Sequence, residues 1–125
     1  MPRLLMALLL AVAQHAAAQP SDCAASSPSD ILRCEEIRLA DAEQALNQAY
    51  RGLVRALHDN PAPDVQAALR TLTRVQRAWI RWRDDDCDAV FMAHDPGALR
   101  ERHRLRCKRV HAEARLGQLE AYRAG

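Results

Sequence analysis

Turn-forming residues cluster in only three places along this chain, and that spacing constrains the fold more than any other feature. A polar, Pro/Ser-rich stretch runs from residue 19 to 29; Asp59-Asn60-Pro61-Ala62-Pro63-Asp64 is a second break and His94-Asp95-Pro96-Gly97 a third. Between and after the breaks lie three long segments without Pro, and clustered Gly and Pro are the strongest local punctuation a chain has. β-branched and aromatic residues never alternate over a useful length, so strands are not expected. Apolar residues instead recur at steps of three and four, the period of a helix with one buried face.

The first segment, from Asp30 to about His58, places Leu39, Ala42, Leu46, Ala49, Leu53 and Leu57 on one stripe, with Ser29 or Asp30 positioned to cap its start. The second, from about Val65 to Ala93, aligns Leu69, Leu72, Val75, Trp79, Cys87 and Val90, with Asp64 as its cap. The third, from about Pro96 to Tyr122, carries Leu99, His103, Cys107, Val110 and Ala114, with Leu105, Ala112, Leu116 and Leu119 on an adjoining face. Asp95 followed by Pro96 suits an N-cap and first helical position. Short connections make successive helices antiparallel neighbours. The expectation is an all-α, elongated, three-helix antiparallel bundle.

The compartment decides what the cysteines do. Arg3, the apolar run Leu4 to Val12 and the small residues ending at Ala16-Ala17-Ala18 read as a secretory signal peptide over residues 1–18. The apolar run is well short of the roughly 18 residues that span a bilayer. Cys23 follows Pro20-Ser21-Asp22 rather than small residues, which does not suit a lipid anchor. The expected product is an exported periplasmic or envelope protein, with a polar lead-in over 19–29 and one helical domain over 30–125. An even count of cysteines in an oxidising compartment reads as two disulfides. A hairpin about the 94–97 turn brings Cys87 opposite Cys107, leaving Cys23 to pair with Cys34; pairing of Cys34 with Cys87 or Cys107 competes.

The formal charge is +2 and falls by one when Arg3 is removed. So small a net charge argues against strong long-range attraction to nucleic acid or anionic membrane. Within the second helix, Gln76, Trp79, Arg83 and Cys87 share the apolar face, which turns the Arg83 charge toward the core. If buried, a guanidinium must be paired, with Glu35, Glu36, Asp41 or Glu113 as candidate partners; alternatively Arg83 lies along the core with its head in water. Asp84, Asp85, Asp86 and Asp88 concentrate acid near the end of that helix, either a candidate partner-binding surface or a solvated helix face balanced by Arg81 and Arg83.

These residues carry a resemblance. Cys34, then Asp41 with Leu46-Asn47 and Tyr50, then Gln76, Trp79, Arg83-Asp84 and Cys87, and last Cys107 with Arg115, resemble the pattern of the small exported domains named for the lysozyme inhibitor LprI. Two positions depart from it: Asp41 sits about one place from the family acid, and Ala112 stands where threonine is common. The resemblance implies a helical, disulfide-linked envelope domain and, in some members, inhibition of lysozyme. Trp79 then fills a core, Asn47 and Gln76 satisfy buried backbone, and Arg83 closes an internal ion pair.

Other chemistries find less support. His103, Cys107 and His111 have a helical spacing from which side chains can share a metal, but an oxidised Cys107 offers no thiolate, so no metal or other cofactor is expected. The same reasoning removes a cysteine nucleophile, and the aspartate run has no partner that would separate two carboxyl pKa values. The reading is a non-enzymatic protein that binds lysozyme, or alternatively an envelope interaction or structural module that binds another protein or a cell-wall component.

Overall fold

The computed structural model of the chain describes residues 26–124. The expected signal peptide, most of the lead-in and Cys23 lie outside the described residues. Three helices account for nearly all of the described chain: α1 (Pro28–Asp59), α2 (Val65–Ala93) and α3 (Ala98–Ala124). None is long and apolar enough to cross a membrane.

Helix ends follow local chemistry, with three corrections to the sequence reading. α1 is capped by Ser27, not by Ser29 or Asp30: the Ser27 hydroxyl accepts from the Asp30 amide at 3.2 Å and donates to its carboxylate at 2.7 Å. Pro28 has no N–H and a preset φ, so it occupies the first helical position and puts Ser27 at the cap. Asp64 holds the cap position of α2 but makes no side-chain cap bond, because its φ of −99° and ψ of 14° place it in a turn. α3 starts at Ala98 rather than at Pro96, with the Arg100 amide donating to the Gly97 carbonyl at 3.1 Å.

α1 has 32 residues, about 48 Å at 1.5 Å per residue, so the molecule is long. α2 runs antiparallel to both other helices, as Arg83 against Glu43 and Gln76 against Arg115 show. α1 and α3 therefore run parallel, Glu35 lying against Arg109 and Gly52 against Arg123. The closest seam is α1 with α3; α2 packs on α3 over a shorter stretch, and the α1 and α2 backbones hardly approach. Sequence adjacency predicted successive helices as neighbours, without ranking the α1–α3 seam above them. The core explains the difference, since Leu46 and Leu53 of α1 meet Ala112 and Leu119 of α3.

The same core corrects the buried face of α3. Ala112 and Leu119 are fully buried, whereas Leu99 and Val110 of the expected stripe are 45% and 52% exposed. The adjoining face wins because Ala112 lets the α3 backbone come close to α1, which a larger residue would hold away. Val75 of α2 is likewise exposed. Tyr50, Leu57, Leu72 and Trp79 pack around the core.

Cys87 and Cys107 form a disulfide with Cα atoms 5.6 Å apart, tying α2 to α3. No described cysteine is free, and this bridge rules out pairing of Cys34 with either residue. It is the one disulfide seen among the described residues; the second expected pair requires Cys23.

Candidate functional site

Between α1 and α2, where the backbones stay apart, polar side chains bridge the gap. Arg83 is 9% exposed. It is buried and paired, the first of the two alternatives, but with partners other than those named: Nη1 donates to Glu43 at 2.9 Å, and Nε and Nη2 donate to Asp84 at 3.0 and 2.9 Å. The guanidinium carbon lies 5.3 Å from the Trp79 ring centre. Glu43 faces α2 at that level, whereas Glu35 lies along the α1–α3 seam and pairs with Arg109 at 3.5 Å. Glu43 was not singled out from sequence. Its signal was available, since it precedes Leu46 and Asn47 by one helical turn.

Gln76, also buried, accepts from Arg115 Nε at 3.0 Å, and Arg115 Nη1 reaches Gln118 at 3.0 Å. Arg115 Nη2 is buried without a hydrogen-bond partner. Gln76 therefore satisfies an α3 side chain rather than backbone. Asn47 is exposed and satisfies no buried backbone. Together Leu46, Asn47, Gln76, Trp79 and Arg83, with Glu43 and Ile80, line a cleft of about 170 Å³. Five of the positions that carry the sequence resemblance thus share one cleft. Tyr50 lies farther along the same seam, its hydroxyl 3.2 Å from that of Thr73.

The four aspartates near the end of α2 are less free than their sequence suggests. Asp84 holds Arg83 and also Lys108 at 3.3 Å, Asp86 meets His111 Nε2 at 2.7 Å, and Asp88 meets Arg104 at 3.3 Å. Asp85 is exposed and has no partner among the described residues. Burial pushes the Asp84 carboxyl up, but hydrogen bonds and charge from Arg83 and Lys108 outweigh it and hold the group below the usual carboxylate range. Beside this cluster Trp82, 55% exposed, sets its ring edge-on to His111 with centres 4.7 Å apart.

Donor atoms of Asp86, Cys87, Cys107 and His111 lie within 4.8 Å of one another. The two sulfurs are bonded to each other, leaving a carboxylate and an imidazole that already share a hydrogen bond. His103, the third residue of the spacing noted from sequence, points elsewhere and stacks on His94 with ring centres 3.8 Å apart.

A profile of the family described as lysozyme inhibitor LprI matches residues 21–119. The chain belongs to the LprI family. That span takes in all of α1 and α2 and most of α3, so the family match and the three-helix fold describe the same unit. An uncharacterized protein, R02472, of Rhizobium meliloti (strain 1021) is 40% identical over 102 residues, covering 74% of this chain and 72% of its own. The uncharacterized protein YecT of Escherichia coli (strain K12) is 31% identical over 98 residues, covering 71% of this chain and 59% of its own. No solved structure matches.

Proposed function

We propose that the protein is an exported, non-enzymatic inhibitor that binds lysozyme. The observation that carries the reading is membership of a family named for that activity, over a span that includes the whole α1–α2 cleft and the acidic end of α2. A lysozyme of the common animal type is cationic and works through two carboxyl groups in a cleft. The acidic end of α2 supplies complementary charge, which acts on encounter rate and orientation. Asp84, Asp86 and Asp88 are held in place by basic neighbours, and Asp85 stands free beside the exposed indole of Trp82. Tryptophan is among the residues that most often anchor an interface, and a charge at its edge acts on encounter and orientation. The lead-in, held by a Cys23–Cys34 bridge, would brace the start of α1.

Titrating the oxidised protein into a cell-wall lysis assay with different classes of lysozyme tests the reading. Inhibition near one-to-one stoichiometry, weakened by Asp85→Lys without loss of helicity, is expected. A folded sample that inhibits none of them removes the proposal. The second reading, an envelope interaction module, is favoured by the internal pairing of three of the four aspartates, which lowers the charge left for an incoming lysozyme. It predicts capture of a different envelope component through the Glu43–Asn47–Gln76–Trp79 cleft, with lysozyme unaffected.

A further inference from the structure

α2 is divided sharply by charge. From Val65 to Arg83 it contains five arginines and no carboxylate; the next residues, Asp84 to Asp88, contain four aspartates. Arg83 is consumed in the buried network, but Arg70, Arg74, Arg77 and Arg81 step by four, three and four, so they form one stripe. All four are exposed. None makes an ion pair or hydrogen bond among the described residues. The stripe points away from the buried side of α2, which holds Gln76, Arg83 and Cys87.

Helix stability does not account for this arrangement. Like charges three and four residues apart repel. A macrodipole favours acid at the start of a helix and base at its end; here the order is reversed, and neither terminal turn carries a compensating charge. A net charge of +2 conceals the separation.

We propose that this stripe is a docking surface for an anionic phospholipid headgroup layer. The recess between Arg70 and Arg74 is lined by α2 alone, so the stripe can lie on a plane of headgroups but offers no second wall to cradle a single polyanionic strand. Val75 and Trp82, 40% and 55% exposed, lie together about a third of a turn round α2 from the stripe, so the arginines make the contact by charge alone. The four aspartates beyond Arg83 are repelled by the same surface, so the molecule leans on the first half of α2 and lifts the acidic end clear. The proposal is independent of lysozyme binding.

The test is vesicle co-sedimentation of the purified, oxidised chain, with phosphatidylcholine vesicles alone or with about 30% phosphatidylglycerol. The readout is the ratio of binding to anionic over neutral vesicles, so any apolar segment that binds both kinds cancels. Each basic residue near an anionic surface raises partitioning about fivefold, so R74E/R77E should lower the ratio by at least about 25-fold. R55E/R106E makes the same change in net charge at exposed arginines outside the stripe and should keep most of the ratio. Should R74E/R77E lose helicity by circular dichroism, R70Q/R81Q serves with the same readout. Equal losses in both charge-matched variants would overturn the stripe in favour of net charge alone. A ratio near one for the wild type, or binding to inorganic polyphosphate without binding to anionic vesicles, would overturn the lipid surface.

Discussion

Arg83 of α2 closes on Glu43 of α1 at 2.9 Å and, through its other face, on its own neighbour Asp84 at the same distance. This contact crosses the widest gap in the fold, between two helices whose backbones barely meet. The guanidinium is nearly buried while both carboxylates keep 40% of their side-chain surface, so the carboxylates can rehydrate if the arginine is removed. Arg83→Met should therefore cost about 2 kcal/mol, the scale of charge-assisted hydrogen bonds, rather than the larger penalty of stranding a fully buried charge. Urea unfolding should show a lower midpoint with an unchanged slope; an unchanged midpoint would mean the bridge contributes nothing net.

The Cys87–Cys107 bridge spans 20 positions of sequence, and on a chain-entropy basis its removal should cost about 3 kcal/mol. A Cys87→Ala/Cys107→Ala double variant is the cleaner test, since it leaves no buried thiol pair to re-form. Its thermal midpoint should fall by well over ten degrees for a domain of this size, as about 1 kcal/mol corresponds to roughly 4–8 °C. A shift of only a few degrees would show that α2 is held to α3 by other contacts.

Ala112 is fully buried where α3 meets α1. Ala112→Leu should destabilise by about 1–3 kcal/mol through overpacking, while Val110→Leu, two positions away and exposed, should change stability little. Equal effects at the two sites would contradict the assignment of the buried face. Ala112→Thr adds a hydroxyl where Leu46, Leu53 and Leu119 form the core, and is expected to be less stable than wild type.

Acid should weaken the fold at two stages. The His103 imidazole is held below its ordinary pKa, first by desolvation and then by the charges of His94, Arg102 and Arg106. A lowered folded-state value means the unfolded chain takes up the proton more readily, so stability is full above the ordinary histidine range and falls as pH drops through it. His103→Gln should flatten that part of a plot of thermal midpoint against pH. Asp84 is also lowered, net of desolvation, by Arg83 and Lys108; its share is present above the ordinary carboxylate range and lost as pH falls below it. Lys108→Gln should bring the folded-state value back toward the ordinary one and so make that acid loss smaller; identical acid limbs for wild type and variant would refute the assignment.

The helices were legible because Pro, Asn and Asp cluster at both turns and because Leu39, Leu46 and Leu53 keep the helical period. What α3 buries was harder to read. Leu99, His103 and Val110 make a plausible stripe, and only the approach of α1 shows that the face of Ala112 and Leu119 is the one covered. Arg115 sits between those two positions at helical spacing, and that was the signal for its burial. Glu43 escaped notice because any of several acids on α1 is within one turn of the right level, and choosing among them requires the register of α1 against α2. The α1–α2 cleft is invisible in the sequence for the same reason, although five of its lining residues stand out there singly. Net charge conceals the most, since a sum over the chain erases the division within α2.

The parallel seam between α1 and α3 also sets an order for folding. A ribosome completes α1 first, but Leu46 and Leu53 find their partners Ala112 and Leu119 only when nearly the whole chain has been made. The hairpin of α2 and α3 joins residues close in sequence and so closes its loop at lower entropic cost. α1 is therefore expected to dock last, its leucine face open to water until then; pulse-labelled hydrogen exchange should show protection arising later in α1 than in α2 and α3.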